Sequence, residues 1–268
     1  MPARLITPFP VLWRHRDLIR AFVRRDIREQ YASSLLGGIW AVLQPLVYFG
    51  TLVLVFAVGL NLNRTPDNLG KDYILHILSG LAPWFSMSAA LQLALAMVSG
   101  NASLVKQMEF PVEVLAARTT LSNLPACFVG LLIAILYCGF RYQSVPVLVL
   151  ALPLCVIVQV VMTIGLSWIL ASIAAYWRDF QQIVTMLLFL NLYLTPIFFT
   201  ADKAPGPLST IVQLNPFSPF VEMYQAVFRD DPAAFLTAAG ISSIAALAVF
   251  LVGYRVLEAL RPGFADVV

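Results

Sequence analysis

Arginine is the residue type in this sequence whose spacing most directly suggests chemistry. Arg16, Arg20, Arg24 and Arg28 recur every four residues, and Arg25 adjoins the row. A guanidinium group binds phosphate oxygens through two parallel hydrogen bonds. We expect the phosphate of a lipid headgroup to be bound by Arg20, Arg24, Arg25 and Arg28. The alternatives are that they contact a partner subunit, or that their positive charge only fixes the orientation of the chain in a membrane.

The segment that carries these arginines is predicted to be an amphipathic helix. Its apolar positions within residues 12–31 follow helical spacing, interrupted by Asp26. They are Ile19, Phe22, Val23, Ile27 and Tyr31. Such a helix lies in the membrane interface, with its apolar stripe among the acyl chains. We therefore separate a cytoplasmic N-terminal region, residues 1–34, from a transmembrane domain, residues 35–268.

The composition is that of a membrane protein. Hydrophobic residues make up 60% of the chain and charged residues 12%, and the mean hydropathy is +0.84. A soluble domain has about 25% charged residues, so this chain lacks the polar surface that water would require. The net charge of +3 comes without a basic tail, which gives no reason to expect nucleic acid as a partner.

Six apolar runs are predicted to cross the membrane, because a helix needs about 20 apolar residues to do so. They are residues 36–60, 74–98, 115–140, 145–176, 183–200 and 235–257. Between the last two, residues 201–234 contain five prolines, which prevent a continuous helix. We predict an all-α integral membrane protein with six transmembrane helices. Residues 205–231 are expected to form short periplasmic helices that re-enter the membrane.

The distribution of Lys and Arg predicts that both termini are cytoplasmic. One side carries twelve of them: Arg4, Arg14, Arg16, Arg20, Arg24, Arg25, Arg28, Lys106, Arg118, Arg178, Arg255 and Arg261. The other side carries five: Arg64, Lys71, Arg141, Lys203 and Arg229. The sequence shows no internal repeat and few ionisable residues within the runs, which argues against an ion-coupled carrier.

Five short motifs, in this order and spacing along nearly the whole chain, resemble type-2 ABC exporter permeases. The similarity is greatest to the branch that exports O-antigen, teichoic acid and related cell-surface glycans. The motifs are Arg25-Asp26-Ile27-Arg28 with Tyr31, Leu36-Gly37, Trp40 and Gln44-Pro45; Asn101-Ala102-Ser103-Leu104-Val105-Lys106 with Phe110-Pro111; Trp177-Arg178-Asp179-Phe180; Thr195-Pro196-Ile197-Phe198; and Asn215-Pro216.

The resemblance implies a homodimer of six-span subunits in the bacterial cytoplasmic (inner) membrane, each docked on a cytoplasmic ATPase. The sequence has no GxxxxGK[ST] run to hold nucleotide phosphates. We therefore expect ATP and Mg²⁺ on a separate subunit, with no cofactor and no catalytic residue in this chain. The expected cargo is a polysaccharide on a polyprenyl-pyrophosphate lipid, whose headgroup the four arginines would receive.

The loop of residues 100–111 is expected to be the coupling segment that docks on the ATPase, with Asn101 or Ser103 capping a short helix. Its candidate residues are Asn101, Ser103, Leu104 and Lys106. The alternative is an ordinary turn. Likewise, Arg178-Asp179 is expected either to form an inter-helix ion pair or to mark the water boundary.

Aromatic residues are the candidates for a glycan channel, since their rings offer apolar faces to sugar C–H groups. They are Tyr48, Phe49, Phe56, Trp84, Phe85, Phe189, Tyr193, Phe198 and Phe199. The alternative is that these residues anchor the protein at the membrane interface.

Two other functions stay open at this stage. One is a related ABC permease that exports a small lipophilic compound or an antibiotic. The other is a membrane enzyme of lipid or glycan synthesis, which would need paired carboxylates. The adjacent acids Asp230 and Asp231 lie on the predicted outer side, away from nucleotide donors. Cys127, Cys138 and Cys155 lie in apolar runs without metal-ligand spacing, so no metal site is expected.

Overall fold

The computed structural model describes residues 8–30, 37–55, 73–106, 110–199 and 207–264, and over these ranges it contains helices and no strand. The helices are α1 (Pro8–Arg14), α2 (Arg16–Glu29), α3 (Trp40–Leu54), α4 (Tyr73–Leu95), α5 (Ala102–Val105), α6 (Glu113–Tyr142), α7 (Leu152–Tyr176), α8 (Phe180–Leu194), α9 (Pro207–Leu214), α10 (Ser218–Arg229) and α11 (Pro232–Leu260). The all-α architecture predicted from the sequence is thereby confirmed.

Within the described ranges, four helical segments are long and apolar enough to cross a membrane. They are Tyr73–Leu95, Glu113–Tyr142, Val147–Tyr176 and Pro232–Gly263. Helix α8 is apolar but has only 15 residues, fewer than the roughly 20 that a span requires. Helix α3 also has 15 residues, and residue 36 and residues 56–60 of the first predicted run lie outside the described ranges. The count of six spans therefore stays a prediction.

The proline-rich segment folds as two short helices, as its prolines require. Helices α9 and α10 have 8 and 12 residues, and Pro205 lies outside the described ranges. Helix α10 is enclosed by the bundle, with Phe220, Val221 and Tyr224 fully buried. Its entry into the membrane from the periplasmic side remains a prediction.

Helix α4 lies at the centre of the bundle and packs against α6, α7 and α10. In the most apolar 18-residue stretch of α4, 89% of the residues are buried. In the corresponding stretches of the other three long helices, 33–39% are buried. Helix α4 is also the least apolar of the four. The other long helices expose apolar side chains such as Phe140, Leu150 and Ile244, as expected of surfaces that face lipid or another subunit.

Two glycines bring α7 and α11 into close contact. A Cβ atom added to Gly165 would lie 2.6 Å from the Phe250 Cα, and one added to Gly253 would overlap the Gly165 carbonyl. Small residues allow membrane helices to pack backbone against backbone. The α7–α11 pair therefore depends on the absence of side chains at these two positions.

The amphipathic N-terminal helix is confirmed as α2, but its apolar stripe has a different neighbour from the one expected. Ile19 is buried, and Phe22 and Val23 are partly buried, in a cluster with Val114 and Leu115 of α6. The stripe thus packs against protein, because the end of α6 offers an apolar surface next to it. Tyr31 lies outside the described ranges.

The last turns of α4, α7 and α11 and the first turn of α6 lie at the same end of the bundle as α2. The Tyr176 hydroxyl donates a 2.7 Å hydrogen bond to the Leu260 carbonyl, and the Gln181 side chain donates one of 3.2 Å to the Leu95 carbonyl. We call this end the α2 end. The opposite end carries the turns that follow α6 and α10.

Candidate functional site

At the α2 end, Arg118 of α6 binds Asp26 of α2 through a bidentate ion pair. Its Nε and Nη2 atoms lie 2.6 and 2.5 Å from the two carboxylate oxygens. The side chains are only 22% and 19% exposed, so solvent screens this pair less than a surface ion pair. Asp26 interrupts the apolar stripe because it meets this cation on α6.

Arg118 also reaches the loop between α4 and α6. Its Nη1 atom donates a 3.3 Å hydrogen bond to the Asn101 Oδ1. Its guanidinium carbon lies 5.2 Å from the centroid of the Phe22 ring, within the range of a cation–π contact. One guanidinium therefore joins α2, α6 and the loop. Sequence reasoning missed this role, although an arginine near the start of an apolar run was the available signal.

The predicted short helix in the loop is confirmed as α5, but its predicted cap is wrong. Asn101 occupies the position before α5 without capping it through its side chain. Its Nδ2 atom instead donates a 2.8 Å hydrogen bond to the Met97 carbonyl, while its oxygen accepts from Arg118. Ser103 lies within α5 and therefore does not precede it as a cap.

Of the other coupling candidates, Ser103 and Lys106 are exposed and Leu104 is partly buried. Helix α5 thus presents polar side chains outward at the α2 end, beside the last turn of α4. Residues 107–109 lie outside the described ranges. Contact with an ATPase remains a prediction for all four candidates.

The far side of this loop is held by the C-terminal segment. The Arg261 Nη1 lies 2.8 Å from the Glu113 Oε1, and its Nη2 donates a 3.0 Å hydrogen bond to the Phe110 carbonyl. The Trp168 indole donates a 3.2 Å hydrogen bond to the Glu113 carbonyl. The loop is therefore fixed at both ends by an arginine from another part of the chain.

The four candidate phosphate-binding arginines are all exposed along α2. Arg20 pairs with Asp17 at 3.2 Å, and Arg25 pairs with Glu29 at 2.6 Å. Both ion pairs are exposed, so they are weak. Arg24 and Arg28 form no ion pair with any other described residue. Their guanidinium groups have the greatest freedom to accept an external anion.

Three of the predicted channel aromatics form a group between α3 and α4. The Tyr48 ring meets the Phe49 and Phe85 rings edge to face, at centroid distances of 5.8 and 4.9 Å. Tyr48 is exposed and Phe85 partly exposed, whereas Phe49 is only 2% exposed. The three rings line a cavity of about 320 Å³, whose polar wall includes Gln44 and Asn123.

A second group lies at the end of α8. The Tyr193 ring is 5.5 Å from the Phe189 ring and stacks on the Phe198 ring at 5.9 Å. Phe189 and Tyr193 are exposed, and Phe198 and Phe199 are partly buried.

The remaining two channel candidates belong to neither group. Trp84 is 1% exposed and packs edge to face on Phe217 at 5.5 Å, so it is a core residue in this conformation. Phe56 lies outside the described ranges.

At the opposite end, Asn215 connects the end of α8 to the start of α10. Its Nδ2 atom donates hydrogen bonds of 2.7 Å to the Asn191 Oδ1 and 3.1 Å to the Leu194 carbonyl. Its Oδ1 atom accepts a 3.0 Å bond from the Phe217 amide. The fourth and fifth motifs, which contain Thr195 and Asn215, therefore meet at this point. In the same way, Asp26 of the first motif and Asn101 of the second both contact Arg118.

Helix α10 is also fastened to the centre of the bundle by buried polar groups. The Tyr224 hydroxyl donates a 2.6 Å hydrogen bond to the Gln159 Oε1, and the Gln159 amide donates one of 3.3 Å to the Pro83 carbonyl. The Gln225 amide donates a 2.8 Å bond to the Pro196 carbonyl. We did not predict this network from the sequence. The available signal was Gln159, a polar residue inside the fourth apolar run.

The remaining candidates occupy ordinary positions. Arg178 and Asp179 are exposed in the turn between α7 and α8, which fits a water boundary. The three cysteines are buried. Over the described residues, no group of three or more His, Cys, Asp or Glu side chains is placed to hold a metal ion.

Comparison with known proteins gives a family match over most of the chain. The family model for ABC-2 type transporters matches residues 17–228. The O-antigen export system permease protein RfbA of Myxococcus xanthus is 29% identical over 260 residues, which cover 95% of this chain and 96% of the relative. RfbA of Klebsiella pneumoniae is 25% identical, with 94% and 95% covered. The polysialic acid transport protein KpsM of Escherichia coli is 22% identical, with 76% and 78% covered.

Proposed function

This chain belongs to the ABC-2 type transporter family, and on that basis we propose that it is the permease subunit of an ATP-driven exporter of a lipid-linked cell-surface polysaccharide. The observation that carries the proposal is the extent of the similarity. Relatives named for O-antigen export match 94–95% of this chain, so the likeness covers the transport pathway as a whole. A relative named for polysialic acid transport supports the same class of cargo.

The energy for export would come from a separate ATPase subunit, because this sequence has no phosphate-binding loop. Helix α5, with Ser103 exposed on it and Lys106 exposed directly after it, is the proposed docking segment. The α2 end would then face the cytoplasm, which agrees with the large excess of Lys and Arg at that end. Both termini would be cytoplasmic, and a homodimer would form the complete pore.

The exposed arginines of α2 are the proposed receptors for the pyrophosphate of the lipid carrier. A pyrophosphate has two phosphate groups, and Arg24 and Arg28 lie one helical turn apart on α2. Both have unpaired guanidinium groups among the described residues. Arg20 and Arg25 would have to exchange a carboxylate partner for phosphate, which costs little for an exposed pair.

The glycan itself would pass the exposed aromatic rings. Tyr48 and Phe85 lie beside the 320 Å³ cavity, and Phe189 and Tyr193 are exposed on α8. Rings of this kind offer apolar faces to a sliding sugar chain without holding it by directional hydrogen bonds. Helices α9 and α10, which we propose to dip into the outer leaflet, would close the exit.

The test is transport by the purified complex. The permease and its ATPase are reconstituted in vesicles with a lipid-linked glycan, and glycan that becomes protected from an external glycosidase is measured with and without ATP. A matched control carries an inactive ATPase. ATP-dependent protection is the expected result. If instead a small lipophilic compound stimulates ATP hydrolysis and is transported while the glycan is not, the cargo assignment is wrong.

A further inference from the structure

We propose that Arg118 is a positioning residue that couples the loop around α5 to α2, so that displacement of the loop moves α2 together with its arginines. This inference takes one element from the proposed function, namely that an ATPase docks on the loop and displaces it. It does not depend on the nature of the cargo.

The ion pair with Asp26 fixes a direction as well as a distance. Two parallel hydrogen bonds of 2.5 and 2.6 Å hold the carboxylate in the plane of the guanidinium. A rotation or slide of α2 past α6 would break at least one of them. Since both side chains are mostly buried, water compensates poorly for the loss.

The same guanidinium holds the loop. Its third hydrogen bond goes to the Asn101 Oδ1, and Asn101 is itself anchored by the Met97 carbonyl. Asn101 therefore links the last turn beyond α4, the start of α5 and Arg118. A shift of α5 changes the position of the Asn101 oxygen and pulls on the cation that holds Asp26.

Asp26 is the main polar attachment of α2 to the bundle. Among the described residues, the other side-chain ion pairs of α2 lie within α2 itself, and the Arg16 side chain reaches only the Trp13 carbonyl. Apart from the cation–π contact of Arg118 with Phe22, α2 packs on α6 through apolar side chains, and apolar contacts are non-directional. The ion pair is thus the contact that can transmit a defined movement.

The surroundings leave room for such a movement. A cavity of about 380 Å³ adjoins the pair and is lined by Asp26, Gln30, Asn101, Arg118 and Asn123. The second half of α2 therefore borders open space next to the ion pair. Arg24, Asp26 and Arg28 belong to one helix, so a displacement of the α2 backbone at Asp26 displaces both arginines as well.

Transport variants form the first test, in the permease–ATPase complex. Arg118→Gln and Asp26→Asn should each lower glycan export per ATP hydrolysed by about tenfold or more, since each leaves a partly buried charge without its partner. The exchange D26R with R118D restores an opposite-charge pair and should recover much of the loss. Asp17→Asn, which breaks an exposed pair on the same helix, is the matched control and should export like the parent.

Distance measurements form the second test, and they require no cargo. Spin labels are attached at Ala21→Cys on α2, Ser99→Cys in the loop and Gly240→Cys on α11, all three exposed. The native cysteines are buried. When ATP is trapped in the parent complex, the 21–240 distance should change and the 21–99 distance should not. In Arg118→Gln, the loop should move without α2, so the 21–99 distance should change.

Two results would overturn the proposal: a constant 21–99 distance in Arg118→Gln, or a 21–240 distance that ATP leaves unchanged in the parent. Failure of the charge exchange to recover export beyond the single variants would also contradict it. If the distances behave as expected while the parent moves no glycan, the cargo assignment fails and the coupling role of Arg118 stands. Membrane insertion is measured for the two single variants and for the exchange variant, so that a loss of export can be separated from a loss of protein in the membrane.

Discussion

Asn215 donates a 2.7 Å hydrogen bond to the Asn191 side chain, and this bond joins α8 to the segment that begins α10. The two residues are 24 positions apart, and residues 200–206 between them lie outside the described ranges. Asn215 is mostly buried and uses both of its polar atoms. The Asn215 amide therefore helps to fix the start of α10 against α8, together with the Gln225 hydrogen bond to the Pro196 carbonyl.

Asn215→Ala should destabilise the protein by about 1–3 kcal/mol, because it leaves buried partners of the amide unsatisfied. We expect a lower Tm for the purified protein in detergent. Gln213→Ala is the matched control, since the exposed Gln213 side chain donates its hydrogen bond locally, to the Ser209 hydroxyl one turn earlier. Equal Tm values for the two variants would show that the amide contributes no net stability.

Gly165→Ala should separate α7 from α11. The added Cβ would lie 2.6 Å from both the Phe250 Cα and its amide nitrogen, and overpacking of this kind costs about 1–3 kcal/mol. The expected readout is a lower Tm and a smaller monodisperse peak in size-exclusion chromatography. Gly240→Ala has nothing within 4 Å of its new Cβ and should behave like the parent. A normal Tm for Gly165→Ala would contradict the close contact.

Aromatic residues of the channel and of the core should respond differently to alanine. Trp84→Ala should cost about 3–5 kcal/mol of folding stability, because this ring is buried against Phe217. Tyr48→Ala and Phe189→Ala remove exposed rings, so we expect normal Tm and reduced glycan export. Export that is unaffected by both of the exposed-ring variants would remove these residues from the proposed channel.

Lysine replacement of Arg24, Arg25 and Arg28 tests phosphate recognition. Lysine keeps the charge that orients the chain but loses the planar fork, so export should fall while membrane insertion remains normal. Arg14→Lys, in α1, serves as the control. A triple lysine variant that exports as well as the parent leaves only the topological role for these arginines.

Reporter fusions test the orientation of the α2 end. Fusions at residues 105 and 268 should be inactive with alkaline phosphatase, which requires the periplasm, and fluorescent with green fluorescent protein. The physical reason is the excess of Lys and Arg at this end, which favours retention in the cytoplasm. Phosphatase activity at either position would invert or break the proposed topology.

Helix positions followed from the sequence because apolar length and proline content are local properties. The end of α7 at Tyr176 and the break between α9 and α10 were both predictable in this way. The length of α8 was harder to predict, since an apolar run does not show at which residue the helix ends. Thr195 and Pro196 end α8 earlier than the predicted run, at Leu194.

The sequence predicted the placement of candidate residues only where a single segment determines it, and their roles stay predictions. The exposed arginines of α2 and the short helix α5 each depend on residues close together in the sequence, so their spacing alone was enough to predict them. The pairing of Asp26 with Arg118 spans 92 positions, and nothing in the spacing of either segment encodes it. Trp84 was proposed for a channel because residue type shows that a ring is apolar but not which way it faces.

The central helix α4 has a consequence for biogenesis. It is the least apolar of the four long helices and the most enclosed by protein, so lipid provides it with the weakest driving force for insertion. It also emerges from the ribosome before α6, α7, α10 and α11, which later surround it. Helix α4 should therefore partition into the bilayer inefficiently when synthesised alone, and it should remain beside the translocon until α6 arrives to shield it.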